Sequence, residues 1–173
     1  MHALLQIPES AGTLDATADR AAETVDRVLG NGALARGLRG SWLGHPTHPL
    51  LVTVPIGAWL SSGVLDVVYQ DRDAARRLIA IGLAATPAAV LAGWAEFPTL
   101  GPRQRRVALV HAAGNAVAAA SFWMAHRQYK RSRIKAARMF SVLGLTAVSV
   151  GGALGGHLSY AQGAGVHRWQ LTA

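Results

Sequence analysis

The chain has 173 residues, of which 51% are hydrophobic and only 15% charged, and its mean hydropathy is +0.24. A soluble domain of this length carries about a quarter charged residues, so lipid rather than water is the expected solvent. Cysteine is absent. That excludes disulfides, thiolate catalysis, cysteine-ligated iron–sulfur clusters and c-type haem attachment, and it leaves His, carboxylate, Met or backbone to hold any metal or cofactor.

The formal net charge of +8 would point to nucleic acid or an acidic surface in a soluble protein. Here the basic residues lie mostly between apolar segments, where the positive-inside rule accounts for them. No compact basic and aromatic patch stands out, so no nucleic-acid partner is expected. The residues from Met1 to Ser10 contain no basic stretch ahead of a long apolar core. No cleavable signal peptide is therefore expected.

The first predicted element is an amphipathic helix from about Thr13 to Leu29. Leu14, Ala18, Ala21, Val25 and Val28 share one face, and Asp15, Asp19, Glu23 and Asp26 lie opposite. Gly30-Asn31-Gly32 ends it. Its apolar face is rich in alanine, which suits packing on the protein's own surface better than membrane binding. Arg36, Arg39 and Trp42 then carry interfacial chemistry toward the bilayer.

Four apolar stretches follow, from Leu50 to Tyr69, Leu78 to Phe97, Val107 to Ala125 and Met139 to Tyr160. Each is about 20 residues long, enough to cross a hydrocarbon core of about 30 Å. The predicted helices run over about 49–70, 75–98, 104–127 and 137–161. Short polar connections imply antiparallel neighbours, hence an all-α, four-transmembrane-helix, up-down-up-down bundle over 44–173 behind an N-terminal segment over 1–43. Gly151, Gly152, Gly155 and Gly156 form two overlapping small-residue pairs on the last helix, allowing close backbone approach. No internal repeat stands out in the residues alone.

The first and third connections hold Arg72, Arg76, Arg77, Arg127, Lys130, Arg131, Arg133, Lys135 and Arg138. The other side holds Arg103, Arg105, Arg106 and Arg168, plus arginines spread through the N-terminal segment. The density of the third connection places that side in the cytoplasm and both termini outside, in a multi-pass membrane protein.

In such a bundle the start of the first helix, the end of the second, the start of the third and the end of the fourth share one layer. His48, Glu96, His111 and His157 occupy those positions, one per helix. His45 precedes at the entrance, and Asn115 lies one turn from His111 on the same face. Ionisable residues in membrane spans are expensive and normally face the interior with partners. Two readings follow. In one, His48, His111, His157 and Glu96 hold a non-haem transition metal. Alternatively, two histidines ligate haem b beside Gly152 and Gly156 while Arg105 and Arg106 meet its propionates. Either suits membrane electron transfer with a redox partner protein or a quinone, and a homo-oligomer is compatible with both. The cofactor-free alternative is a structural or interaction subunit held by a buried His/Glu/Asn hydrogen-bond network. His2, His126, His167, Met124 and Met139 lie outside the layer, and Asp66 is expected to pair with Arg76 or Arg77.

Two motifs carry a family resemblance. They are Gly44-His45-Pro46-Thr47-His48-Pro49-Leu50-Leu51-Val52 with Pro55-Ile56-Gly57, and Gly155-Gly156-His157-Leu158-Ser159-Tyr160 with Gly163-Ala164-Gly165-Val166. Over Ser41 to Arg168 the chain resembles the bacterial membrane family catalogued as domain-of-unknown-function family 2231. The resemblance implies a four-helix membrane domain and no settled activity. Some relatives are joined to Rieske-type electron-transfer domains, which points toward redox work. Relatives often have Asp after the second helix where this chain has Glu96.

Overall fold

The computed structural model describes residues 2–165, with side chains from Leu5 onward. His167 and Arg168 lie outside the described residues. Every regular element among the described residues is helical. An N-terminal segment of three helices comes first: α1 (His2–Ser10), α2 (Asp15–Leu29) and α3 (Ala33–Arg39). The membrane part follows as α4 (Thr47–Leu51), α5 (Thr53–Val67), α6 (Arg72–Glu96), α7 (Pro102–Lys130) and α8 (Ile134–Gly156).

Four spans are long and apolar enough to cross a membrane: Thr47–Val67, Arg72–Thr99, Pro102–Lys130 and Ile134–Ala161. They begin two or three residues earlier than the predicted helices, at 49, 75, 104 and 137. The reason is that polar first turns, such as Arg72-Asp73 behind the Asp71 cap, still continue the helix, and Asp71 Oδ1 accepts from the Ala74 amide. The first span steps at Val52, where α4 passes into α5 just ahead of Pro55. Proline has no N–H and crowds the carbonyl four residues back, which favours a break there. The last span finishes in a π-helical turn over His157–Ala161, a detail that residue periodicity does not reveal.

The spans pack as two tight helix pairs. Trp59 of α5 lies against Gly82 of α6, and His48 of α4 lies against Gly93 of α6, so this pair runs antiparallel. Phe122 of α7 lies against Gly144 of α8, and His111 of α7 against Gly155 of α8, so the second pair does too. Trp59 and Phe122 stack across the gap between pairs, with ring centroids 4.4 Å apart. That stack, with buried Ile79, Ala118, Ala125 and Ala137, forms the apolar core of one half of the bundle.

These contacts expose a repeat that the residues alone conceal. The same spacing of eleven residues separates His48 from Trp59, Gly82 from Gly93, His111 from Phe122, and Gly144 from Gly155. Each hairpin turns on a residue in left-handed conformation, Gln70 in the first and Ser132 in the second, both with φ 55. The helix following each turn starts two residues later, at Arg72 and at Ile134. The α7–α8 hairpin is thus a structural copy of the α4/α5–α6 hairpin. Identical residues are too sparse for pattern reading to find it.

At the end away from the histidines, Asp66 is buried. It accepts from Arg138 Nε at 2.6 Å, not from Arg76 or Arg77. Arg76 reaches only Asp73, one turn away on its own helix. Arg138 wins because α8 packs against α5, whereas Arg76 pairs with Asp73 on its own helix.

The N-terminal segment lies against the opposite end. Ala18 and Ala22 of α2 are buried there with Phe97, Val107, Leu154 and Leu158. The helix thus packs on the protein, with Val28 turned outward at 77% exposure rather than sharing the apolar face. Arg39, expected at the interface, is instead buried. Its guanidinium donates to Ala95 O near the end of α6, and to Asn31 Oδ1 and Gly30 O just past the end of α2, meeting carbonyls at helix ends that lack further amides.

The glycine contacts yield a stability test. A Cβ at Gly82 would stand 2.3 Å from Trp59 Nε1, and one at Gly144 2.7 Å from Phe122 Cε2, whereas one at Gly152 meets nothing within 4 Å. Gly82→Ala and Gly144→Ala should each cost about 1–3 kcal/mol through overpacking. Gly152→Ala should leave stability unchanged or slightly improved. Thermal unfolding in detergent measures all three.

Candidate functional site

The site lies between the two hairpins, in the half of the bundle nearest the N-terminal segment. There the helices separate around a partly open cavity of about 530 Å³. Its walls are mainly apolar and include Val52, Trp59, Trp94, Phe97 and Ala112. His48, Glu96, His111 and Asn115 line it as well. The structure therefore gathers four of the sequence-nominated residues around one space, supplied by α4, α6 and α7.

Each histidine is seated by a glycine. A Cβ at Gly93 would be 2.9 Å from His48 Nδ1, and one at Gly155 would be 3.0 Å from His111 Cε1. The bare notch lets each ring reach a carbonyl one turn earlier on the facing helix. His48 Nδ1 is 2.8 Å from Ala89 O, and His111 Nδ1 is 2.8 Å from Gly151 O. A carbonyl can only accept, so both Nδ1 atoms donate, and in the neutral imidazole each Nε2 then presents a lone pair. The two rings meet edge to face, with centroids 6.0 Å apart.

The copies then diverge. Asn115 Nδ2 donates to His111 Nε2 at 2.9 Å, which closes that imidazole completely. The position equivalent to Asn115 in the first hairpin is Val52, which has nothing to donate. Among the described residues His48 Nε2 has no hydrogen-bond partner.

The haem and metal readings can be tested on these donors. No group of three or more His and carboxylate side chains close enough to hold a metal occurs among the described residues. His111 has no free lone pair: its Nδ1–H donates to Gly151 O, as the outer nitrogen of a metal-bound histidine would, but Asn115 already occupies Nε2, the atom a metal would need. His157 lies at the same end but turns away from the cavity. Its Nε2 is 2.5 Å from Glu9 Oε1, and it lines a separate polar cavity of about 480 Å³ with Gln6, Arg103, Gln104 and Gln162. His45 is exposed at the surface and joins neither cavity. As placed, the residues do not fit either cofactor.

The residues assigned to haem contacts have other work. Arg106 holds Asp15 with two bonds, of 2.5 and 2.7 Å, and donates to Glu9 O at 2.6 Å. Arg105 bonds Asp19 at 3.0 Å and Pro98 O at 2.9 Å. Both fasten the N-terminal segment. Gly152 and Gly156 face open space, and the neighbouring Gly151 and Gly155 make the close approaches, to Asn115 and His111. Glu96 lines the cavity, and Gly165, in left-handed conformation, brings the chain past its carboxyl.

The family model described as "Predicted membrane protein (DUF2231)" matches residues 44–168. The chain belongs to this family. The match covers all four spans and both histidine-bearing motifs. No curated protein and no solved structure matches the chain.

Glu9 was not foreseen as part of any site. Its carboxyl is held below the ordinary Glu range, first by the hydrogen bond from His157 and then by Gln162. Arg106 lowers Asp15 in the same way. A carboxyl lowered in the folded state stabilises above its unfolded value and loses that contribution as pH falls through the lowered one. Docking of α1 and α2 should therefore persist from neutral pH down to about 4.5, the ordinary Glu value, and weaken on further acidification. Because the chain has no cysteine, spin labels at Ala16→Cys and Tyr160→Cys report the distance cleanly. It should stay narrow above that window and broaden below it.

Proposed function

We propose that this protein binds a largely apolar small molecule within the membrane, in the cavity between its two hairpins, without a metal or haem. The observation that carries this reading is the cavity itself. A space of about 530 Å³ with aromatic walls and a few convergent polar groups matches the general form of small-molecule sites, which fall at about 300–1,000 Å³. Its place at the interface of two repeats is where repeat-built membrane proteins commonly bind their ligands. A purely structural subunit would be expected to fill such a space, because interiors pack closely and each void forfeits dispersion contacts. The excess of positive charge on the α7–α8 turn supports an orientation with this cavity in the outer half of a bacterial inner membrane.

The test uses 1-aminoanthracene, an amphiphilic probe that fluoresces in apolar sites. Protein in detergent micelles should give a saturable signal above protein-free micelles. Ala112→Phe, which fills the cavity from α7, should weaken binding by about tenfold or more. Absence of a saturable signal, or an unaltered affinity in the variant, would sink the reading. An absorption spectrum of the same preparation should show no Soret band; a strong one would revive the haem alternative.

A further inference from the structure

Comparing the two hairpins residue by residue assigns a ligand class to this cavity. We infer that His48 Nε2 is the anchoring acceptor for the hydroxyl of an apolar ligand, of the quinol or isoprenoid-alcohol type. The inference rests on the cavity-binding reading above and makes it specific.

Both histidines are held in the same tautomer by the same device: a carbonyl on the facing helix reached over a glycine notch. In the second hairpin the resulting acceptor is quenched by Asn115, and Gly151 makes room for the amide. A Cβ on Gly151 would lie 2.6 Å from Asn115 Oδ1. In the first hairpin both parts of that cap are changed together. Val52 replaces the asparagine and Ala89 replaces the glycine. A valine cannot donate, and the alanine methyl fills the space an amide would use. His48 Nε2 therefore lines the cavity as an uncapped acceptor.

An uncapped acceptor among apolar walls is costly unless a donor arrives. Its chemistry discriminates. A hydroxyl donates to it; a quinone carbonyl, itself an acceptor, faces two opposed lone pairs and gains nothing there. Trp59, Trp94 and Phe97 line the same space and suit a flat ring or a prenyl chain behind the hydroxyl. These contacts assign ligand binding, by a hydrogen bond from the ligand hydroxyl to His48 Nε2.

The experiment uses the full chain in lipid nanodiscs with ¹⁵N-labelled histidine, under anaerobic conditions. It is titrated with a short-chain benzoquinol, the matching quinone, and farnesol. The His48 Nε2 resonance should move saturably with the quinol, with farnesol, or with both, and that pattern distinguishes the ring from the isoprenoid source. His111 should stay unmoved. The quinone should bind weaker than its quinol by a factor on the order of ten. Val52→Asn with Ala89→Gly rebuilds the cap and should abolish the His48 response, while Ala89→Gly alone should retain it. Equal responses to quinol and quinone, or no response to any of the three while 1-aminoanthracene still binds, overturn the ligand class and leave the cavity reading standing. If 1-aminoanthracene fails as well, both fall.

Discussion

A polar ring inside hydrocarbon must find its hydrogen bonds within the protein, and this requirement organises the whole bundle. Helix carbonyls are already engaged by amides one turn on, so a side chain can add a second bond only where the backbone is uncovered. Gly93 and Gly155 provide that access, each four residues beyond the carbonyl that a histidine reaches. The same notches bring the helix axes close, because a ring in a glycine groove needs less separation than two facing side chains. Gly82 and Gly144 do this for Trp59 and Phe122 lower down. Each hairpin is thus riveted twice, once by a polar ring and once by an apolar one. The cavity is what remains where the polar rivets of the two hairpins fail to fill the gap between them.

The spans were legible because the bilayer sets a length that composition must meet, and their order on the chain brought His48, Glu96 and His111 to one layer. Depth is readable in this way; azimuth is not. An error of one residue rotates a helical side chain by about 100°. That is why Gly152 and Gly156 were assigned to the cavity side when Gly151 and Gly155 face the neighbouring helix. His157 shows the same limit in another form. Its depth is as expected, but a π-helical turn begins at that residue and directs the ring to Glu9, 148 residues away in sequence. No local pattern announces a pair so distant. The repeat escaped notice for a related reason: packing preserves ring against glycine, while the residues between are free to vary among small apolar types.

Arg105 and Arg106 show how one charge can satisfy two demands. Their position just after the third span begins fits interfacial arginines in general. In the structure the same side chains tie down Asp15, Asp19 and a carbonyl of α1. Acidic residues on the N-terminal helices therefore serve as specific mates to the bundle's basic rim. With Ala18 and Ala22 offering little area to bury, polar fastening carries much of the docking. This makes the N-terminal segment sensitive to charge in a way the spans are not.

The two hairpins solve one structural problem with nearly the same parts, so their differences are informative where their similarities are not. Substitutions at lipid-facing positions carry little meaning, since many residues serve there. The change from Asn115 and Gly151 to Val52 and Ala89 is different in kind: it alters both halves of a single hydrogen-bonding arrangement and leaves the ring, its tautomer and its glycine seat intact. A structural role for His48 would have been served by keeping the cap, which satisfies every polar atom of the ring. Departures from local consistency concentrate at functional sites. In this fold the departure falls at one nitrogen, on the wall of the cavity, and it converts a closed hydrogen-bond network into an open one.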